Sequence, residues 1–132
     1  GLPFMMPLDP RSRITAPKYN PPRTWTPQGT IGMGGAATAI YPVATPGGYQ
    51  IFARTPVPIW DTNARFKEFQ DSICLFRAGD RVKFVPVTKE QFEETEARVK
   101  EGTYRYNVVG YQKFSVAQYK AWLAGIDAGE RF

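Results

Sequence analysis

Two short stretches carry the groups best placed to do chemistry. KYNPPRTW, Lys18 to Trp25, compresses a cation (Lys18), a phenol (Tyr19), an amide (Asn20) and a guanidinium (Arg23) into six residues framed by Pro17, Pro21 and Pro22. Prolines restrict the backbone, so these groups can be presented at low entropic cost. The same stretch reads equally well as a crossover loop with solvated polar side chains. ATPGGYQIFARTP, Ala44 to Pro56, sets a Pro46-Gly47-Gly48 corner before Gln50, Phe52 and Arg54. Strand alternation puts those three on one face and Tyr49, Ile51, Ala53 and Thr55 on the other, with Gln50 and Arg54 ~13 Å apart at ~3.3 Å per residue. That face either lines a groove or meets water.

What the sequence lacks narrows the chemistry further. There is no histidine among the 132 residues, so no Ser-His-Asp triad, Cys-His pair or His-ligated zinc is available. The single cysteine, Cys74, excludes thiolate zinc sites and internal disulfides, and its apolar setting in SICLF reads as core. No metal site is expected. No lysine precedes Ser or Thr, so no P-loop is present, and no Met-Lys dipeptide offers a biotin attachment point. Gly32, Gly34 and Ala37 fit G-x-G-x-x-A, but AATAIYP does not open a helix, as the dinucleotide fingerprint requires. The glycines suit a strand approached closely by another backbone or a ligand.

The net charge of +5 is uneven. Residues 1–60 hold five basic residues and one acid, Asp9; residues 61–132 hold twelve basic and eleven acidic. The basic residues are scattered rather than clustered, which argues against a nucleic-acid partner. No run approaches ~18 apolar residues, and the start has no signal-peptide order. A soluble, cytoplasmic protein without a membrane partner is expected. Its first residue is Gly, which suggests a piece of something longer.

Twelve prolines and twelve glycines cut the chain into short segments. Strands are expected at Thr30 to Tyr41, Tyr49 to Thr55, Ser72 to Phe76, Arg81 to Val87 and Tyr104 to Val109, with RAGD as a hairpin turn at Gly79. Thr88 with Gln91 announces a capped helix closed by Gly102, with Glu94–Arg98 and Glu96–Lys100 pairs. Ser115 with Gln118 starts a second. Short strands followed by terminal helices give a mainly β fold, a sandwich or closed barrel with one or two C-terminal helices. The expected division is a β core over residues 1–87 and a helix, strand and helix extension over 88–132.

GLPFMMPLDPR, TIGMGG, IYPVATPGGYQIFARTPVPIWD and RAGDRVKFVPV together resemble the C-terminal half of the allophanate hydrolase subunit 1 family. KYNPPRTW and YRYNV…FSVAQYKAWL resemble its urea carboxylase and urea amidolyase branch more than its 5-oxoprolinase branch. Ala53 departs from the family's glycine before Arg-Thr, and Ala37-Thr38-Ala39 from a glutamine-containing segment. The resemblance implies a cyclophilin-like closed β-barrel. It also implies a partner N-terminal α/β half and a homologous subunit 2 region.

The activity so implied is carboxyl transfer from carboxybiotin, brought in on a biotin carrier domain, to a small urea-like substrate. ATP is used elsewhere in the holoenzyme. The candidate catalytic residues are Lys18, Asn20 and Arg54; the candidate substrate-binding residues are Tyr19, Arg23, Tyr41, Gln50, Gly34, Gly35, Gly47 and Gly48. The other readings are a subunit of an ATP-dependent amide or lactam hydrolase and a non-catalytic barrel that binds a signalling protein. On the carboxylase reading the chain is inactive alone, because the site lies between two related halves.

Overall fold

The computed structural model describes residues 2–110 and 113–125. The outer ends of the two expected segments, residues 1 and 126–132, lie outside the described residues. In chain order the elements are β1 (Phe4–Met5), β2 (Arg23–Thr26), β3 (Thr30–Gly34), β4 (Ala37–Ile40), β5 (Thr45–Gly47), β6 (Gln50–Arg54), α1 (Lys89–Lys100) and α2 (Val116–Gly125). Short 3₁₀ turns lie at Pro10–Ser12 and Lys67–Phe69. The fold is mainly β with two helices. No helix among the described residues is long and apolar enough to cross a membrane.

Four strands form an antiparallel sheet in the order β1-β4-β3-β6, and β2 pairs with β5 in a second, two-stranded sheet. The stretch Thr30 to Tyr41, expected as one strand, is a hairpin. Gly35 adopts φ +61° between β3 and β4, a conformation that L side chains rarely take. The register Ile31↔Ile40 and Gly34↔Ala37 then follows. The Pro46-Gly47-Gly48 corner is also more than a turn, because Thr45–Gly47 is itself a strand and Gly47 pairs with Arg23.

Each face of the four-stranded sheet carries a buried cluster, while edge strand β6 is largely exposed. Ile31 and Ile40 pack with Ile59 on one face, joined by Met5, Leu75 and Phe76. On the other face Ala39, Tyr41 and Tyr49 form a second cluster with Leu2. A third cluster joins Phe66 and Phe69 to Val99 of α1, with Tyr104 and Tyr106 packed against it. Helix α1 starts in the expected capping box: Gln91 N donates to Thr88 Oγ1 at 3.3 Å and Thr88 N donates to Gln91 Oε1 at 2.9 Å. It ends in a Schellman motif, with Thr103 N donating to Arg98 O, Gly102 N to Val99 O, and Gly102 at φ +73°. The expected Glu96–Lys100 pair forms at 4.0 Å; Glu94 and Arg98 make no ion pair among the described residues, and Lys89–Glu93 does so instead at 3.7 Å. At the start of α2, Gln118 N donates to Ser115 Oγ.

Three expected strands do not form ladders. Cys74 makes one bridge to Trp60, flanked by bonds from Leu75 N to Ile59 O and Asp61 N to Ile73 O. The Ser72 hydroxyl takes the Cys74 N–H at 3.1 Å, a local bond that competes with strand pairing. Residues 81–87 have no neighbouring strand among the described residues, and Pro86 has no N–H to give one. Residues 104–109 turn their tyrosines toward Phe66 and Phe69, where Tyr106 Oη donates to Pro58 O at 2.7 Å. Their β-favouring composition reports a fit to half-buried surface, and here that surface is an aromatic cluster. RAGD does turn, with Asp80 N donating to Arg77 O, but its flanks do not pair as a hairpin.

Candidate functional site

Gly32 and Gly34 occupy alternate positions of β3 and so leave a lane without side chains on one face of the sheet. Met33 pairs with Gln50, which sets Tyr49 opposite Gly34. The Tyr49 ring lies along the lane: a Cβ added at Gly34 would stand 2.5 Å from two ring carbons, and one at Gly32 would stand 3.0 Å from Tyr49 Cβ. Tyr49 is 8% exposed and Tyr41 1%. Burial, with Tyr41 alongside, pushes the Tyr49 phenol above its ordinary value, so the ring stays neutral. Gly47 is needed for a similar reason, because a Cβ there would overlap the Tyr41 ring.

The proline-framed loop is tied to this platform along its length. At its entry Ala16 and Gly35 exchange two main-chain hydrogen bonds, of 3.0 and 2.8 Å. Gln50 Nε2 donates to Pro17 O at 2.8 Å. Tyr19 N donates to Gly48 O at 2.7 Å, and Arg23 Nη2 to Tyr49 O at 2.6 Å. Three consecutive residues, Gly48, Tyr49 and Gln50, therefore grip the loop at Tyr19, Arg23 and Pro17. A Cβ at Gly48 would stand 3.0 Å from Tyr19 O, a tight contact that glycine avoids. The Asn20-Pro21 peptide is cis.

The grip leaves a cationic, outward-facing cluster. Lys18 Nζ stands 5.4 Å from the centroid of the Tyr49 ring, and Arg23 Cζ stands 5.3 Å from that of Tyr19. Lys18, Tyr19 and Asn20 are exposed. The Arg23 Nε is buried and has no hydrogen-bond partner among the described residues. The sole acid before residue 60, Asp9, is bound by Arg11 at 2.8 Å. Fixed cations with little opposing charge suit negative charge that develops on an oxygen.

Of the eleven candidate residues, the structure brings ten around Tyr49 and its neighbours. Arg54 stands apart. The ladder between β3 and β6 shifts by one, from Ile31↔Ala53 to Gly32↔Ile51, so Phe52 is an extra, bulged residue. By register Gln50 pairs with Met33 and Arg54 with Thr30, positions on opposite faces. The expected shared face of Gln50, Phe52 and Arg54 is thus broken by the bulge. Arg54 turns to α1, where its Nη2 lies 3.8 Å from Glu96 Oε1 and its Cζ 5.6 Å from the Phe92 ring.

Sequence reasoning missed Tyr49, which alternation assigned to the opposite face. The signal was an aromatic residue next to a Gly-Gly pair, with glycines at alternate positions of the neighbouring strand. It also missed Asp61, a buried carboxylate. Burial alone would raise the Asp61 carboxyl, but hydrogen bonds from Asn63 N, Arg65 N and Arg65 Nε outweigh it and hold the group below its ordinary value. Two clefts lie elsewhere. One of about 270 Å³ is lined by Arg65, Lys67, Tyr104 and Arg105, and one of about 200 Å³ by Leu2, Pro42, Trp60 and Cys74.

Known proteins resemble this chain in sequence and fold. The family described as "Carboxyltransferase domain, subdomain C and D" matches residues 1–69. The urea amidolyase of Lachancea kluyveri is 37% identical over 127 residues, 96% of this chain and 7% of that protein. A 5-oxoprolinase subunit of Bacillus subtilis (strain 168) is 37% identical over 92 residues, 70% of this chain and 35% of that protein. The crystal structure of the Kluyveromyces lactis urea carboxylase superposes with a TM-score of 0.78 at 37% identity, covering 94% of this chain and 11% of that one. This chain therefore spans a small part of those proteins. With its matched strands, glycines and proline-framed loop, it belongs to the carboxyltransferase domain family, subdomains C and D.

Proposed function

We propose that the chain is part of the carboxyltransferase component of a biotin-dependent carboxylase that acts on urea or a related small amide or guanidine. The observation that carries this reading is the loop 16–23, held at four points so that Lys18, Tyr19 and Asn20 face outward beside Arg23. Positioned cations and amide groups, without a histidine, suit a reaction that needs charge stabilisation and alignment more than a protein nucleophile.

The donor set fits the oxygen of a biotin ureido group. Carboxybiotin, when its carrier domain docks, supplies an activated carboxyl carbon. Lys18 and Arg23 would hold the ureido oxygen of that group and stabilise negative charge on it. Tyr19 and Asn20 would orient the substrate nitrogen toward that carbon, with its proton directed to the ureido nitrogen it replaces. Gly34, Gly47 and Gly48 let Tyr49, Tyr41 and the loop approach closely. Gln50, Gly35 and Tyr41 act as supports, and Arg54 anchors α1.

The same reading takes the two sheets as walls of a cyclophilin-like closed barrel over residues 1–87, with 88–132 as an extension packed through Val99. ATP is consumed elsewhere in the holoenzyme. An N-terminal α/β half, a subunit 2 region and the carrier domain are the partners, the setting is the cytoplasm, and the isolated chain is inactive.

The likeness to the 5-oxoprolinase subunit favours a second reading, a subunit of an ATP-dependent lactam or amide hydrolase. The likeness to urea amidolyase continues through both helices and supports the first. The test is to assay the full-length protein with ATP and bicarbonate against urea, guanidine and 5-oxoproline, in wild type and Asn20→Ala. Bicarbonate-dependent turnover of urea or guanidine, weakened by Asn20→Ala, is expected. Bicarbonate-independent opening of 5-oxoproline would favour the hydrolase.

A further inference from the structure

Both cations of the candidate site converge on one residue that provides no outward-facing group. Lys18 Nζ lies over the Tyr49 ring at 5.4 Å, and Arg23 Nη2 donates to the Tyr49 carbonyl at 2.6 Å. The ring itself has little freedom. It lies on the Gly32–Gly34 lane, packs with Ala39 and Tyr41, and has Phe4 at 6.2 Å on a tilted plane. A neutral aromatic face attracts an ammonium through its quadrupole, without a counter-charge that would cancel the site's positive potential. A carboxylate there would hold Lys18 more tightly and neutralise it.

Resting on the carboxyl-transfer reading, we infer that Tyr49 is the positioning residue of the site: its ring face places the Lys18 ammonium and its carbonyl places the Arg23 guanidinium. The Tyr49 hydroxyl has no part in this, so phenylalanine serves equally well. The ring's electron density is what matters.

The test uses the full-length enzyme. Tyr49→Phe should keep kcat/KM for bicarbonate-dependent urea carboxylation within about 2-fold. Tyr49→Leu should lower kcat about 10- to 100-fold with a smaller change in KM, as expected when a reacting geometry slips by an ångström. In a Lys18→Met background, Tyr49→Leu should have a much smaller effect, because the group it positions is gone. Hydrogen exchange provides a readout independent of turnover: the Tyr19 amide should exchange faster in Tyr49→Leu than in wild type.

If Tyr49→Leu fails to fold, a fluorinated phenylalanine series at position 49 keeps the ring while draining its face of charge. Activity should then fall stepwise with fluorine number at constant melting temperature. Additive losses in the Lys18→Met background, or a flat fluorination series in an active enzyme, would overturn the positioning role while leaving the carboxyltransferase reading in place. A wild-type enzyme that transfers no carboxyl group would overturn both.

Discussion

The Arg23 guanidinium donates to the main-chain carbonyl of Tyr49 at 2.6 Å, joining the end of the proline-framed loop to the residue that follows the Gly47-Gly48 pair. The bond is charge-assisted and partly buried, a class that contributes about 1.5–3 kcal/mol. Arg23→Ala should therefore lower stability by about that amount in chemical denaturation. Arg23→Lys should recover less than half of the loss, because a single ammonium cannot both reach the carbonyl and keep the guanidinium's contact over the Tyr19 ring. A Lys variant as stable as wild type would show that the fork geometry is unimportant.

Gly34 is required by the Tyr49 ring rather than by its own backbone conformation. Gly34→Ala should destabilise by about 1–3 kcal/mol through overpacking, since its Cβ would stand 2.5 Å from the ring. The cost should shrink in Gly34→Ala/Tyr49→Ala, where the ring is gone. Equal costs in both backgrounds, read from urea midpoints, would place the strain elsewhere.

Phe69 is 2% exposed and joins Phe66 to Val99 of α1. Phe69→Ala should cost about 3–5 kcal/mol, the usual range for emptying a buried aromatic site. Helix α1 should lose protection before β3 and β4 in hydrogen exchange. Simultaneous loss across both would mean that the extension and the sheet open as one unit.

Asp61 links stability to acid. Its folded value lies below the ordinary 3.8, because three hydrogen bonds outweigh burial. A carboxyl depressed in this way stabilises the fold above its unfolded value, and that contribution is lost as pH falls through the lower folded value. The stability gap between wild type and Asp61→Asn should be full at pH 6–7 and narrow below about pH 4. A gap that is constant from pH 7 to pH 2 would contradict the account.

Much of this was legible where a local rule decides the outcome. Thr88 and Gln91 state the start of α1 in side-chain terms, and Gly102 states its end. The strand at Gln50–Arg54 followed from composition and turn signals. The bulge at Phe52 did not, because it arises from the register of β6 against β3 and has no signature within β6. Once it is present, alternation fails, and Arg54 parts from Gln50. The grip on loop 16–23 was hidden for another reason: its acceptors, the carbonyls of Pro17, Gly48 and Tyr49, are main-chain groups without a side-chain signature. Residues 81–87 and 104–109 show the opposite error, with β-favouring side chains that meet an aromatic cluster or no neighbouring strand.

On the proposed function, the loop presents Lys18 to stabilise charge during carboxyl transfer. The most direct measurement is single-turnover transfer to urea by the full-length holoenzyme, wild type against Lys18→Met, at matched biotin loading and with unchanged melting temperature. Loss of one such stabilising group costs about 100- to 1,000-fold in rate. A fall of that order is expected, and a Lys18→Met enzyme that transfers at the wild-type rate would refute the role proposed for Lys18.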